Sequence, residues 1–472
     1  MADRLVVVGG GITGLAAAYA ATTRAKEAGR AVEVTILERA PRFGGNIVTE
    51  RVDGFLLDGG PDSWVVSKPH ATALARELGL GERLVPTNES TRRYYIVWAG
   101  RLHPVPEGLV LGVPTRLAPL ARTGLFSIGG KLRMAFEPWV PARRFDGDDD
   151  ESIADFAARR LGREAGERLV APLLGGISAA DASDVSVRAA FPQLVAMERE
   201  HGSLVRGMRA AARARRTPGD SRSRQSGAFV SLRGGVGELV EALVERLKDM
   251  RVVLRAGTAA RRLGREGGRW AVESDAGERI ACDAVLLATP LNAAARIVEA
   301  LDPDLARLLA SVPYTSTATV FLAYRRADVA HPLDGVGFVV PRGIGRSILA
   351  STWVSSKWPG RAPDDHVLLR AFFGGAGGEP VLARDDDALA ALAQGELRAV
   401  MGLAAAPVWT RVFRFDQARA QMRVGHLAAM RAVRERVAQT APRLLLAADG
   451  FDGAGIPDCV RQGQEAGRAL VA

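Results

Sequence analysis

Four apolar residues, Leu5-Val6-Val7-Val8, run into Gly9-Gly10-Gly11-Ile12-Thr13-Gly14, and alanine then dominates to position 21. An unbroken apolar run bounded by glycine predicts a strand buried on both faces, followed by a tight turn and a helix. Residues 31–37 form a second apolar strand that closes on Glu38, completing a β-α-β unit. Farther on, 53–60 predicts a strand entering a turn, 69–78 a helix, and 94–98 with 101–105 a hairpin about Ala99-Gly100. From 114 to 214 the spacing turns helical and is punctuated by proline. One helix there starts at Asp148-Asp149-Asp150-Glu151-Ser152. Carboxylates in a first turn gain ~0.3–1 kcal/mol from the helix dipole, so this cluster is expected as a solvated cap and not as a metal site.

Residues 206–224 are strongly basic, and 219–227 reads as a linker. Beyond it, strand 230–232, amphipathic helix 238–248 and strand 252–254 imply another β-α-β-like unit. A short hairpin follows at 270–273 and 279–281, then a buried strand at 284–290 stopped by Pro290. Strands at 318–324, 337–340 and 367–373 with a helix at 387–400 predict an inserted α+β domain carrying a broad sheet. The starting theme returns at 444–448, a buried strand ending at Asp449, and at 457–470, a helix. The first domain is therefore expected to be discontinuous, assembled from three segments.

The spacing Gly9-x-Gly11-x-x-Gly14 has a mechanical basis. One glycine takes the turn, one lets backbone approach a pyrophosphate, and one lets helix pack on strand, leaving the phosphates on free helix N–H groups. Glu38, at the end of the second strand, is placed to accept hydrogen bonds from ribose hydroxyls.

At 472 residues the chain exceeds what one hydrophobic core usually supports, so two or three domains are expected. With 47% hydrophobic and 25% charged residues it is neither disordered nor a membrane bundle. A surplus of 63 Lys+Arg over 53 Asp+Glu gives +10, which favours polycarboxylates, anionic lipid or nucleic acid as partners. The basic run 206–224 lacks aromatic residues for base stacking, so it reads as a solvated helix face and no nucleic acid is expected. Cys282 and Cys459 suggest neither disulfide nor zinc, and His103, His201, His331 and His426 show no paired spacing, so no metal is expected. The uncharged run 5–23 is broken by glycines, and Asp3 offsets Arg4, so it is not expected to act as a signal peptide. Elsewhere the longest uncharged run found, 311–324, is too short to span a bilayer. The expected location is the cytoplasm.

Glu38-Arg39-Ala40-Pro41-Arg42-Phe43-Gly44-Gly45 after the glycine loop resembles the flavin amine oxidase superfamily. Asp58-Gly59-Gly60-Pro61-Asp62-Ser63, Leu232-Arg233-Gly234-Gly235, Phe191-Pro192-Gln193-Leu194, the run from Met197 to Leu204, and Gly453-Ala454-Gly455-Ile456-Pro457-Asp458-Cys459 are similar to its porphyrinogen oxidase branch, in that branch's order. The resemblance implies an α/β fold: a Rossmann-like FAD-binding domain from segments 1–88, 229–300 and 435–472, a helical domain at 89–228 and a substrate-binding α+β domain at 301–434. It implies FAD contacts at Gly9, Gly10, Gly11, Ile12, Thr13, Gly14, Glu38, Arg42, Gly45, Asn46, Gly60, Pro61, Asp62, Ser63, Ala260, Asp449, Ala454, Gly455 and Ile456. Physically, Arg42 supplies a fixed cation for the pyrophosphate, and Gly44-Gly45 lets backbone lie against the ribityl side with no Cβ in the way.

The reaction implied is hydride transfer from a porphyrinogen to FAD, with O₂ reoxidising the flavin over three cycles that remove six electrons. The cofactor carries the difficult step, so no side chain is named as nucleophile or general base. Porphyrinogens are apolar discs with propionates, which calls for a flat apolar slot with a cation at its mouth. The resemblance puts Arg92 or Arg93 there, ahead of Tyr94-Tyr95; an exposed arginine pair with no partner is the competing reading. The walls would include Gly176, Val336, Gly337, Val339 and Phe372, the last four also readable as ordinary core. Ser178 and Ala180 depart from the branch, which usually has an aromatic residue and a glycine there, and this leaves protoporphyrinogen IX and coproporphyrinogen III both open. Partners implied are the porphyrinogen, O₂ and at most weak peripheral contact of the helical region, with Trp139, to an anionic membrane at the inner face of the cell. Nothing in the residues chooses between monomer and homodimer, or excludes another terminal acceptor. The rivals are a flavin amine oxidase or carotenoid-type desaturase, for which Asp452-Gly453-Ala454-Gly455 lacks paired aromatics, and a non-catalytic lipid-chaperoning protein of the same fold, which an intact phosphate loop disfavours.

Overall fold

Five parallel strands form the sheet on which the glycine loop stands, in the order Val253–Ala256, Val32–Glu38, Asp3–Val8, Ala284–Leu287, Leu444–Leu446. The computed structural model describes residues 2–91, 93–176, 179–214 and 228–471. Leu5 to Val8 are all buried because the sheet is covered on both sides, as continuous apolar strands require. Helices Ile12–Glu27, Gly237–Asp249 and Ile456–Val471 pack on one face. Helices Leu291–Val298 and Pro303–Ala310, with the antiparallel meander Ala260–Glu266, Arg269–Ser274, Arg279–Cys282, cover the other. The sheet draws on three distant stretches of chain, as the strand pattern predicts. Its ends are tied where the C-terminal helix lies on the first one: a Cβ at Gly463 or Gly467 would collide with the Thr13 or Ala17 carbonyl.

One expected unit does not form. Strand Phe229–Leu232 pairs antiparallel with Trp64–Val65 and Leu84–Pro86 in a separate three-stranded sheet, while Val253–Ala256 joins the parallel sheet. The reason lies in the turn between them. Gly235 takes φ +95°, and the next two N–H groups are captured by Asp58 Oδ1 (Val236, 2.9 Å) and Thr49 Oγ1 (Gly237, 2.9 Å), anchoring the helix start to the hairpin Thr49–Val52/Phe55–Asp58.

The second large sheet has seven strands, ordered Trp409–Ala420, Tyr314–Arg325, His366–Gly374, Ala350–Trp353, Gly335–Val339, Arg93–Trp98, Arg101–Pro104. All pairs are antiparallel except Gly335–Val339 with Arg93–Trp98. The hairpin about Ala99-Gly100 thus closes the sheet built mainly from 314–420. Helix Asp386–Met401 covers one face, where Leu369, Ala371 and Phe373 point. The opposite face meets the first domain through Phe321, Leu368 and Phe413 against Phe55 and Leu57.

Helices between 117 and 214 form their own core, joined by Ile96 and Val339 of the seven-stranded sheet. Fully buried Arg160 pairs with Glu137, which also accepts from Ser203 Oγ (2.6 Å) and Leu204 N (2.8 Å). Helix Ile153–Leu161 begins at Ser152, and Asp148 is taken up by Arg431. Helix Leu204–Ala214 carries the first part of the basic run 206–224; the expected linker 219–227 lies outside the described residues. No helix among the described residues is long and apolar enough to cross a membrane.

Candidate functional site

The glycine loop stands where strand Asp3–Val8 ends, and its glycines separate by what surrounds them. A Cβ at Gly9 would meet Ala288 O at 2.6 Å, at Gly10 it would strike the Phe43 ring, and at Gly14 the Gly9 carbonyl. At Gly11 the nearest atom would be Gly45 Cα, 4.0 Å away. The open side of the loop is therefore at Gly11. Helix Ile12–Glu27 starts there with no side-chain cap and no acid in its first turn, so the N–H groups of Ile12, Thr13 and Gly14 present uncompensated positive ends.

The other expected cofactor residues gather at the same end of the sheet. Glu38 accepts from Gly10 N (2.7 Å) and Ala40 N (2.8 Å), which fixes its carboxylate beside the loop. Thr258 N donates to Glu38 O at 2.8 Å, bringing Ala260, two residues on, to this edge. Gly44 N donates to Gly10 O at 2.8 Å, so the Arg42–Gly45 stretch lies alongside the glycine loop. Arg42 is turned inward on that stretch, donating to the carbonyls of Phe43 (3.2 Å), Gly45 (2.7 Å) and Ile47 (3.1 Å). Asn46 donates to Ala418 O (3.2 Å), and its own carbonyl leaves no room for a Cβ at Gly60. From the far end of the chain, Asp449 Oδ1 accepts from Gly455 N (3.1 Å), setting Ala454, Gly455 and Ile456 at the start of the C-terminal helix. Glycines that leave the approach at Gly11 open, helix N-termini at Ile12 and Ile456 and a carboxylate at the strand edge fit an extended dinucleotide diphosphate.

Pro61, Asp62 and Ser63 are held by charges that sequence reading did not single out. Asp62 accepts from Lys357 Nζ (2.7 and 3.0 Å), Trp358 Nε1 (3.1 Å) and Ser63 Oγ (2.7 Å). Burial would raise this carboxyl, but Lys357 and Arg370 outweigh it and hold it well below the usual range. Arg370 Nη2 donates to Gly59 O and Gly60 O, both at 2.6 Å, and Thr319 Oγ1 donates to Gly59 O at 3.0 Å. Burial lowers Arg370 to about 10, with Asp62 opposing, so it stays charged at neutral pH. Asp58, next to the loop, is pushed up by burial against the pull of Arg361, 3.2 Å away. A signal for Arg370 existed: it is a lone cation inside the apolar run Val367-Leu368-Leu369-Arg370-Ala371-Phe372-Phe373.

The expected substrate residues are brought together only in part. Phe372 shares a sheet face with Arg370, whose guanidinium carbon lies 4.5 Å from its ring centroid. Val339 packs toward the helical region, and Val336 is buried. Gly337, at φ +136°, has its Cβ direction filled by Ser351 and Thr352 of the neighbouring strand. Gly176 is exposed; Ala179, shortly after it, accepts from Ala376 N (2.9 Å), just beyond the strand bearing Phe372. Arg93 lies on the other face of the sheet, its Nη1 on Asp334 Oδ2 at 2.8 Å beside Tyr95 OH on Oδ1 at 2.7 Å. Tyr94 alternates to the first face, where burial and then the charge of Asp62 raise its hydroxyl. Arg92 and Ser178 lie outside the described residues.

Comparison with known proteins agrees with this geometry. The family described as flavin containing amine oxidoreductase matches residues 12–471. Coproporphyrinogen III oxidase of Bacillus subtilis (strain 168) is 37% identical over 462 residues, 98% of this chain and 96% of that protein. Coproporphyrinogen III oxidase of Staphylococcus aureus (strain NCTC 8325 / PS 47) is 33% identical over 481 residues, 100% of both. A solved structure from Exiguobacterium sp. 255-15, provisionally described as a protoporphyrinogen oxidase, superposes with a TM-score of 0.86 at 35% identity, covering 100% of this chain and 99% of that one.

Proposed function

The chain belongs to the flavin containing amine oxidoreductase family, and from that premise we propose that it oxidises coproporphyrinogen III to coproporphyrin III, with FAD as resident cofactor and O₂ as acceptor. The observation that carries the cofactor is the open approach at Gly11, at the uncapped start of helix Ile12–Glu27, with Glu38 fixed beside it. The preference for a tetracarboxylate follows the names of the relatives from Bacillus subtilis and Staphylococcus aureus, which match 98% and 100% of the chain. When bound, FAD supplies the hydride acceptor. The N–H groups from Ile12 to Gly14 and from Ile456 bind the pyrophosphate, Glu38 the ribose, and Gly45, Asn46 and Gly60 to Ser63 flank the ring side. Ala260 lies toward the adenosine and Asp449 toward the ribityl hydroxyls.

Phe372 and Val339 give the apolar face on which the macrocycle lies, with Gly176 toward the rim. Because Asp334 engages Arg93 on the far face, the propionate role falls to Arg92. Three two-electron cycles remove six electrons and six hydrogens, converting three O₂ to three H₂O₂. No side chain is needed as a nucleophile. The helical region is proposed to touch anionic membrane weakly, through Ile128, Leu132, Phe136 and Trp139, which are 77%, 54%, 56% and 71% exposed. Protein that stays in the supernatant with phosphatidylglycerol vesicles at low salt would remove that contact.

The test is to purify the protein, record its visible spectrum and follow porphyrin fluorescence in air from each porphyrinogen. A yellow protein that acts faster on coproporphyrinogen III is expected. Absence of isoalloxazine, or fluorescence no faster than spontaneous oxidation, overturns the proposal.

A further inference from the structure

Arg370 is 4% exposed, and its Nε has no hydrogen-bond partner among the described residues. The charges around it do not cancel: Asp58 pairs with Arg361 and Asp62 with Lys357, which leaves Arg370 as a third cation against two carboxylates. A buried cation of this kind is usually less stable than an apolar residue of the same volume, so its presence calls for a reason other than folding. Its geometry supplies one. Its Nη2 donates to both carbonyls of Gly59-Gly60 in the first domain, and its guanidinium carbon lies over the Phe372 ring of the seven-stranded sheet, 4.5 Å from the centroid. A planar, five-donor group can do both at once; an ammonium cannot.

We propose that Arg370 is a positioning residue that sets the separation between the Gly59–Ser63 loop and the Phe372 wall. This rests on the reading above that the loop flanks FAD and the wall carries the porphyrinogen. Hydride transfer needs the reacting atoms within about 3–3.5 Å, and a shift of about 1 Å can lower a rate on the order of a hundredfold. Arg370 would therefore govern the rate of hydride transfer more than substrate affinity. Each transfer moves one hydride from the porphyrinogen to the flavin and releases one proton.

The experiment mixes holoenzyme with coproporphyrinogen III without oxygen and follows bleaching of the flavin absorbance. For Arg370→Met the flavin stays bound, the saturating rate falls at least about tenfold, and the half-saturating concentration changes less than about threefold. Arg370→Lys keeps the charge but not the plane, and is expected to match Arg370→Met within about threefold. Full recovery by lysine would assign the effect to charge and overturn the proposal, as would a wild-type saturating rate in Arg370→Met. Thr319→Val removes one donor to Gly59 while leaving Arg370 in place, and should lower the saturating rate at least about threefold. If neither Arg370 variant folds, an unchanged rate in Thr319→Val overturns the proposal. Wild-type protein without flavin, or not bleached by porphyrinogen, would sink the proposed function instead.

Discussion

A methyl group at Gly11 points into open space, and one three residues later at Gly14 collides with the Gly9 carbonyl. The two glycines of one motif therefore predict opposite outcomes. Gly11→Val is expected to give folded, colourless protein with the melting temperature of flavin-free wild type, because its Cβ meets nothing nearer than Gly45 Cα at 4.0 Å while a bound diphosphate would meet the side chain. Gly14→Ala is expected to lose stability by about 1–3 kcal/mol or more through overpacking, read as a lower melting temperature of the flavin-free protein. Arginine identity divides in a similar way. Arg93 is 64% exposed on its side chain and paired with Asp334, so Arg93→Ala should change stability by no more than about 1 kcal/mol and leave KM unchanged, whereas Arg92→Ala should raise KM several-fold with flavin retained. Steady-state kinetics with coproporphyrinogen III checks both. At this scale the glycine spacing was legible, since each glycine answers a local steric demand; the side of the sheet on which Arg93 lies was not, since a strand's two faces look alike until a partner such as Asp334 is placed.

Helix Pro303–Ala310 shows how an element is fastened by distant residues. Its N-cap, Asp302, accepts from Leu305 N (3.0 Å), Arg436 Nε (2.8 Å) and Nη2 (3.0 Å), and Thr440 Oγ1 (2.9 Å). The Arg436 hydrogen bonds, helped by the cap, hold its carboxyl at about 2 against an ordinary 3.8. A depressed folded-state value means that the stabilisation is present above the ordinary pKa and disappears as pH falls through about 2. Asp302→Asn should therefore cost about 1–2 kcal/mol at neutral pH, with the gap to wild type closing in acid, as denaturant melts at pH 7 and at low pH would show. Pro303–Ala310 was not among the predicted elements, whereas helices Gly237–Asp249 and Asp386–Met401 were readable from periodicity. The destination of strand Phe229–Leu232 was not: its apolar residues suit either sheet, and the choice fell to Asp58 and Thr49 capturing the helix start that follows.

For the whole molecule, the parallel sheet cannot close without both ends of the chain. Leu444–Leu446 supplies its edge beside Ala284–Leu287, and Ile456–Val471 lies along Ile12–Glu27. A chain ended at residue 440 is expected to give no cooperative melt and no flavin absorbance, with both restored in the full chain. By itself the sequence determined the βαβ start, the return of the nucleotide domain at its far end, the broad sheet between them and the family resemblance, because strand and helix periods and glycine spacings act over a few residues. The tertiary structure alone decided which charges meet at the loop. Lys357 reaches Asp62 across 295 positions and Arg370 reaches Gly59 across 311, and no local period records a contact made only when two separately folded sheets are pressed face to face.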